Sequence, residues 1–587
     1  MALSSSADLA PRPRMRARSA RLTHRGAAVT HPPLVPPSGL SMQLVSPAPA
    51  AGLGERPWWD GRAVGWAIAA GLAVVAGVVL TAGIATPSPW ADEGATYLAL
   101  QRTWQQLALL WQGRDAPWVP YYALAKVWTA VLHAVWPGLS TLVAARLLSA
   151  VAAAGTVLAL YAIIARNAGR IGGILAAVVL ISLPGFSRYA QEARGYTLLA
   201  LAAAVSWLLS DRWLRPGRAA TLTGTSVRAA GGRDPSPTVA AGGAYALGLA
   251  AVAAVHTFGV FQWPAHLLSV LVAPGERSTR TRRAAGLALL GLVAAAVAGA
   301  QVWISLMHGT GPTNAQAARI VNLGTIANLL ARAMSFVATP VVSLPVLALA
   351  LVGLLTRVDG RRWLPLNLLI WLVVPLGFAL GLGVMHTNLF RLRYWIAFLP
   401  PLAGLAGLGL LAVGTAVVRL GVRGFGSHAA AAARVLACAV VIGLLGLQVA
   451  ATAQAQQQVR AVDGHTEDLS QVLAAIGRER SAHPGLVVAV SSPTGSGMLA
   501  ASDPSLLAQN PLQHISTTLP VVWTSPTAAH LVRLSLAGPH EVLWVHRGLG
   551  SPSVAAQHLP HTLAQLHPTV IWSKSAGADW TLVLLRT

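Results

Sequence analysis

Charge is scarce in this chain, and negative charge is scarcer still: 10% of its 587 residues are charged and 18 are acidic. A soluble domain usually carries about 25% charged residues, so an ordinary water-soluble globule is excluded. Cysteine is almost absent. Cys438 stands alone inside an apolar segment, which excludes an intrachain disulfide and leaves any outward domain to hold together by packing. No Cys/His cluster has zinc-site spacing, and no P-loop or Rossmann glycine motif is present. The missing P-loop argues against ATP-driven transport. Lysine occurs only at positions 126 and 574, so nearly all the positive charge is arginine, which stays ionised at every physiological pH.

Apolar sequence fills the space that charge leaves. Hydrophobic residues make up 55% of the chain. They gather into about eleven segments near the 20 residues or so that cross a bilayer. These are 63–86, 142–165, 170–186, 196–214, 242–259, 261–274, 284–306, 333–356, 363–385, 394–418 and 434–454. The net charge of +24 would suggest nucleic acid in a soluble protein. Here the arginines sit in short loops between apolar segments, as cytoplasmic anchors do, and no basic face is interleaved with aromatics. The expected partner is the lipid bilayer, not nucleic acid.

Residues 1–60, rich in Pro, Ser and Arg, read as a disordered basic cytoplasmic tail. No apolar run follows the basic stretch directly, so a cleavable signal peptide is not expected. Residues 61–455 make the membrane module. Loops such as "RPGRAATLTGTSVRAAGGRD" and "ERSTRTRR" fit the positive-inside pattern with a cytoplasmic N-terminus. An odd span count then puts residues 456–587 outside the cytoplasm. That region opens with a polar linker and an amphipathic helix. The strand-like runs "GLVVAV", "PVVWTS", "HEVLWVHRG", "TVIWS" and "DWTLVLLR" follow, which predicts a small α/β domain. About 130 residues can bury a core without staples. The expected fold class is an all-α polytopic membrane protein with a small C-terminal extracytoplasmic α/β domain.

On this topology the membrane module offers four acidic side chains to the outer face: Asp92, Glu93, Asp115 and Glu192. Asp92 and Glu93 follow the first span directly. Carboxylates at a bilayer edge are costly and mark a functional site by default. The first outward loop is too long for a turn and too apolar to be free. Tyr97–Trp111 and Tyr121–Trp136 have amphipathic spacing, and their Trp and Tyr residues suit interfacial helices framing a cleft. Transfer of a group to a hydroxyl needs a base for the acceptor proton. A carboxylate in a partly apolar site can serve, with its neighbour holding acceptor or metal. The bland alternative is that the pair marks a membrane boundary or caps a helix.

The stretch "DEGATYLAL…GRDAPWVPYYALAKVW…ARLLSAVAAAGTVLALY…SRYAQEARGYTLLALAAAVSW", with "FRLRYWIAFLPPLAGLAG" further on, resembles the GT-C polyprenyl-phosphate-sugar-dependent glycosyltransferases. The likeness is strongest to glycosyltransferase family 39 and its bacterial mannosyltransferase relatives. It covers roughly residues 60–275 and 380–405. The resemblance implies an extracytoplasmic active site, a polyprenyl-phosphate sugar donor with mannose as its sugar, and an inverting single displacement. It places the family's acidic pair on Asp92 and Glu93, with Asp92 as base, and a basic donor-binding residue on Arg146. Where relatives carry His-Pro before an aromatic pair, this chain has "DAPWVPYY", so Asp115, Tyr121 and Tyr122 line that part of the site.

Further candidates come from "QEARGY", which supplies Glu192, Arg194 and Tyr196. Arginine forks match phosphate oxygens, so Arg194 is expected at the donor phosphate. Glu192 is expected to orient it, or to hold Mg²⁺ or Mn²⁺ together with Asp92. Interfacial pairing of Glu192 with Arg188 or Arg194 is the alternative. Arg391 and Arg393 lie at another outward edge, and Arg393 is a candidate clamp on the leaving phosphate; snorkelling is its alternative. His256 is a candidate lining residue and His386 a weaker one. Two other functions stay open, a transporter or flippase of lipid-linked sugars and a non-catalytic sugar-binding protein. A transporter should show internal repeats and acids near mid-bilayer. No repeat is visible, and Asp92, Glu93 and Glu192 share one face.

Overall fold

The structure is a computed structural model. It describes residues 43–44, 61–112, 115–214, 239–273, 277–307, 340–358, 362–385, 392–490, 493–506, 541–548, 561–564 and 567–586 except 578, with a few isolated positions besides. The N-terminal stretch apart from 43–44, the strand expected at "PVVWTS", His386 and Arg391 lie outside the described residues.

Among the described residues, each apolar segment of the sequence falls largely on a helix, as it must where no water can satisfy the backbone. In the membrane module these are α1 (Arg62–Thr81), α2 (Ala91–Leu100), α3 (Trp104–Leu109), α4 (Val119–Val135) and α5 (Thr141–Ser182). They continue with α6 (Pro184–Ala190), α7 (Tyr196–Leu214), α8 (Val239–Val255), α9 (Gln262–Val272) and α10 (Arg277–Met307). The last four are α11 (Pro340–Leu355), α12 (Trp363–Met385), α13 (Leu399–Phe425) and α14 (Ala430–Val459). Among the described residues, seven helices are long and apolar enough to cross a membrane.

Two expected spans, 142–165 and 170–186, are joined in α5. The chain reverses at Gly169 (φ 86°, ψ 164°), a conformation open only to glycine. Gly173 then lies against Tyr161 of the first limb. The expected 242–274 region is also two helices. A 3-10 turn at Thr257–Phe261 separates α8 from α9, and His256 caps it by accepting the Phe258 N–H at 3.0 Å. At 11 residues, α9 rises only about 16 Å, well short of a full crossing.

The core forms where α13 lies along α5 and α11, with α1 and α7 on the flanks of α5. Leu160, Ile164, Leu180, Phe186, Leu402 and Leu405 are buried there. The helix expected over Tyr97–Trp111 is broken. α2 ends at Leu100, and Thr103 starts α3 through a capping box with Gln106, two reciprocal bonds that favour a fresh start over continuation. The 30 residues of α14 rise about 45 Å, beyond the hydrocarbon thickness, and lead the chain into the C-terminal domain.

That domain contains α15 (Ser470–Ala482), β1 (Val487–Val490), α16 (Pro493–Ser502), β2 (Glu541–Arg547), β3 (Thr569–Ser575) and β4 (Trp580–Arg586). Its sheet order is β1-β2-β4-β3, with β1 parallel to β2 and the other pairings antiparallel. Alternation sorts the strands into two faces. Val488, Val490, Leu543, Val545, Leu582 and Leu584 join Val472 and Ile476 of α15 on one side. Ala489, Val542, Trp544, Val583 and Leu585 face the other.

Candidate active site

α2 carries both members of the acidic pair in its first turn, where the helix N-terminus favours negative charge. Successive helical residues point about 100° apart, so the two carboxylates diverge and acquire different surroundings.

Glu93 turns inward and is fully buried. Arg146 grips it with both arms of a fork, Nε to Oε1 and Nη2 to Oε2, each at 2.8 Å. The Ala193 N–H donates to Oε1 at 2.8 Å, and His465 Nδ1 lies 3.3 Å from Oε2. Burial pushes the Glu93 carboxyl up. The Arg146 guanidinium, with help from His465, outweighs burial and holds the carboxyl well below the usual carboxylate range. Arg146 spends its remaining arm on the Ile84 carbonyl at 2.8 Å. This corrects two sequence expectations. Arg146 is not at an open phosphate site, and Glu93 does not face a cleft, because a buried charge of either sign must find its partner inside the protein.

Asp92 turns the other way and keeps its side chain 21% exposed. Its Oδ2 accepts from the Tyr196 hydroxyl at 2.7 Å and from Arg393 Nη1 at 2.8 Å. Arg194 Nε stands 4.0 Å away. Among the described residues no hydrogen bond falls on Oδ1. Arg393, 30% exposed, comes from the 3-10 turn Leu392–Phe398 that leads into α13.

Behind Asp92 lies a chain of polar contacts from the first loop. Arg194 is buried, lies over the Trp118 ring at 4.2 Å, and donates to the Tyr122 hydroxyl at 2.6 Å and to Thr96 Oγ1 at 3.3 Å. Tyr122 in turn donates to Asp115 Oδ2 at 2.7 Å. Arg194 is therefore a buried source of positive potential beside Asp92 rather than an open hand. Tyr196 meets Trp118 edge-on at 5.4 Å, Tyr121 is buried beside Trp118, and the His256 ring is wedged between Trp118 and Tyr394. Structure thus gathers Asp92, Asp115, Tyr121, Tyr122, Arg194, Tyr196, His256 and Arg393 into one contiguous cluster.

Glu192 is buried and bonded to Arg188 Nε at 3.0 Å, the pairing the sequence left as its alternative. Burial pushes its carboxyl up and Arg188 draws it only part of the way back. A divalent cation at Asp92 and Glu192 does not fit this arrangement. Mg²⁺ and Mn²⁺ call for a shell of oxygen ligands, whereas each carboxylate already faces a guanidinium. Among the described residues no three His, Cys, Asp or Glu side chains converge as a metal-binding group.

Sequence reasoning missed Trp118, Tyr394 and His465. The first two stand in aromatic-rich stretches, where nothing separates a site residue from a belt residue. His465 is far from Glu93 in the chain, inside a polar linker, and carries no local signal.

No family model matches the chain, and no curated protein does. Solved structures similar to it include ArnT from Cupriavidus metallidurans bound to undecaprenyl phosphate, at 13% identity and a TM-score of 0.49, covering 89% of this chain and 98% of that one. The same protein in its apo state matches at 14% identity and 0.48 over the same shares. The archaeal oligosaccharyltransferase AglB from Archaeoglobus fulgidus, in complex with an inhibitory peptide and a dolichol-phosphate, matches at 12% identity and 0.46, covering 84% of this chain and 70% of that one.

Proposed function

We propose that this chain is an integral membrane glycosyltransferase, with its site and C-terminal domain outside the cytoplasm. It transfers a sugar, mannose in the first instance, from a polyprenyl-phosphate donor to an acceptor hydroxyl on a cell-envelope glycan, lipoglycan or protein. The observation that carries this reading is the contrast within the acidic pair. Glu93 is sealed inside, while Asp92 stays partly exposed and is held by Tyr196 and Arg393.

In the proposed step the acceptor oxygen attacks the anomeric carbon from the face opposite the phosphate. Asp92 takes the hydroxyl proton as the new C–O bond forms. The bond from the anomeric carbon to the phosphate oxygen breaks, and its electron pair leaves with the polyprenyl phosphate. Arg393, the more exposed arginine, meets the charge that develops on that phosphate. Arg194 contributes from behind through its field, and the first-loop helices α2, α3 and α4 frame the cleft.

Membranes carrying the protein, supplied with radiolabelled polyprenyl-phosphate mannose and endogenous acceptors, test this directly. Wild type should move label to glycan or protein. Asp92→Asn should lose transfer by roughly 10²–10⁴-fold while inserting normally. Full activity in Asp92→Asn would remove the base.

A further inference from the structure

The helix that presents Asp92 is held from outside the membrane module. α2 has 10 residues, about 15 Å of helix, and an isolated helix of that length is marginal in water. Its placement must come from tertiary contacts, and many of these belong to the C-terminal domain. Gly94 meets Gly497 of α16 backbone to backbone. A Cβ on Gly497 would stand 2.5 Å from the Gly94 carbonyl oxygen, and one on Gly94 would stand 2.7 Å from the Met498 nitrogen. Neither helix can accept a side chain there without separating.

The two helices also share cores. Ala91 packs against the interior of the C-terminal domain, while Ala500 and Ala501 of α16 enter the cluster around Tyr97 and Leu100. His465, in the segment between α14 and α15, is fully buried and reaches Glu93 at 3.3 Å. The same segment is pinned to the end of the first span. The Ser88 N–H donates to the Val462 carbonyl at 2.8 Å, and the Leu469 N–H donates to Ser88 Oγ at 3.2 Å.

We propose that the C-terminal domain is a positioning element of the active site, with His465 and Gly497 as its positioning residues. Together they fix α2, and with it the direction in which Asp92 presents its carboxylate. The catalytic part of this inference rests on the reading of Asp92 as the base. His465 is buried and Gly497 meets the Gly94 backbone, so both act through α2. His465 is one of several partners of Glu93, beside the two-armed Arg146 fork and the Ala193 N–H, so its own contribution is to tie α2 to the segment that leads into the C-terminal domain.

The test uses the purified full-length chain in lipid nanodiscs, comparing wild type with His465→Ala, His465→Asn and Gly497→Val. Two quantities are read: backbone hydrogen exchange across residues 91–100, and kcat and KM for transfer from polyprenyl-phosphate mannose. Displacement of a reacting group by about 1 Å can cost 10²-fold. His465→Ala and Gly497→Val should therefore exchange faster in α2 and lose roughly 100-fold in kcat, with KM for the donor unchanged. Asparagine can place its amide nitrogen near the position of Nδ1, so His465→Asn should recover most of kcat and the slow exchange. Wild-type exchange in both disruptive variants, or wild-type kcat in folded His465→Ala, would overturn the proposal. If the wild type transfers nothing, the glycosyltransferase reading and the catalytic half fall together, while exchange still decides whether the domain holds α2.

Discussion

Adjacent carboxylates with opposite environments are the central fact at the residue scale. A buried ion pair is destabilised strongly when one partner is removed, by about 3–5 kcal/mol. Glu93→Gln should therefore lower the thermal unfolding midpoint in detergent markedly, whereas Asp92→Asn should leave it near wild type. The acid limb of stability gives a second check. The folded Glu93 carboxyl is held below its unfolded value, which is about 4.3. Its contribution is fully present above that value and is lost as pH falls toward the folded one. Titration from neutral pH to about pH 3 should cost the wild type more stability than Glu93→Gln, and equal slopes would refute the assignment. At Arg393, substitution by Ala should reduce kcat by roughly 10²–10³-fold, as loss of a charge-stabilising donor does. Arg393→Lys should recover only part, because an ammonium is a point charge without the planar fork.

At the scale of elements, Gly169 makes the clearest prediction. Its backbone angles strain any other residue by about 1–3 kcal/mol, so Gly169→Ala should lower the unfolding midpoint without altering KM. Much at this scale was legible in the sequence. The apolar runs gave helices because a bilayer admits little else, whereas the break after Leu100 was not anticipated: the Thr103–Gln106 capping box sits inside a stretch whose amphipathic spacing reads as one helix. The strand runs "GLVVAV", "HEVLWVHRG", "TVIWS" and "DWTLVLLR" also became strands. What could not be read was which way side chains point on a helix with neighbours on several sides. Asp92 and Glu93 look alike in sequence and differ only in what packs against each. Arg146 looked like a phosphate ligand because its position could be matched to a family pattern, while its true partner lay 53 residues away. His465 was hidden for the same reason at 372 residues' separation.

On the scale of the whole molecule, the membrane module and the C-terminal domain meet at α2, so residues about 400 positions apart in the chain, Gly94 and Gly497, come together there. That has a consequence for how the protein is made. A ribosome delivers Asp92 to the membrane early and delivers His465 and Gly497 only after the last apolar helix has emerged. Until then α2 lacks two of its contacts, and a nascent chain would present its carboxylate without a fixed aim. Activity would thus arrive late and all at once, when the C-terminal domain closes over a helix made about 400 residues earlier.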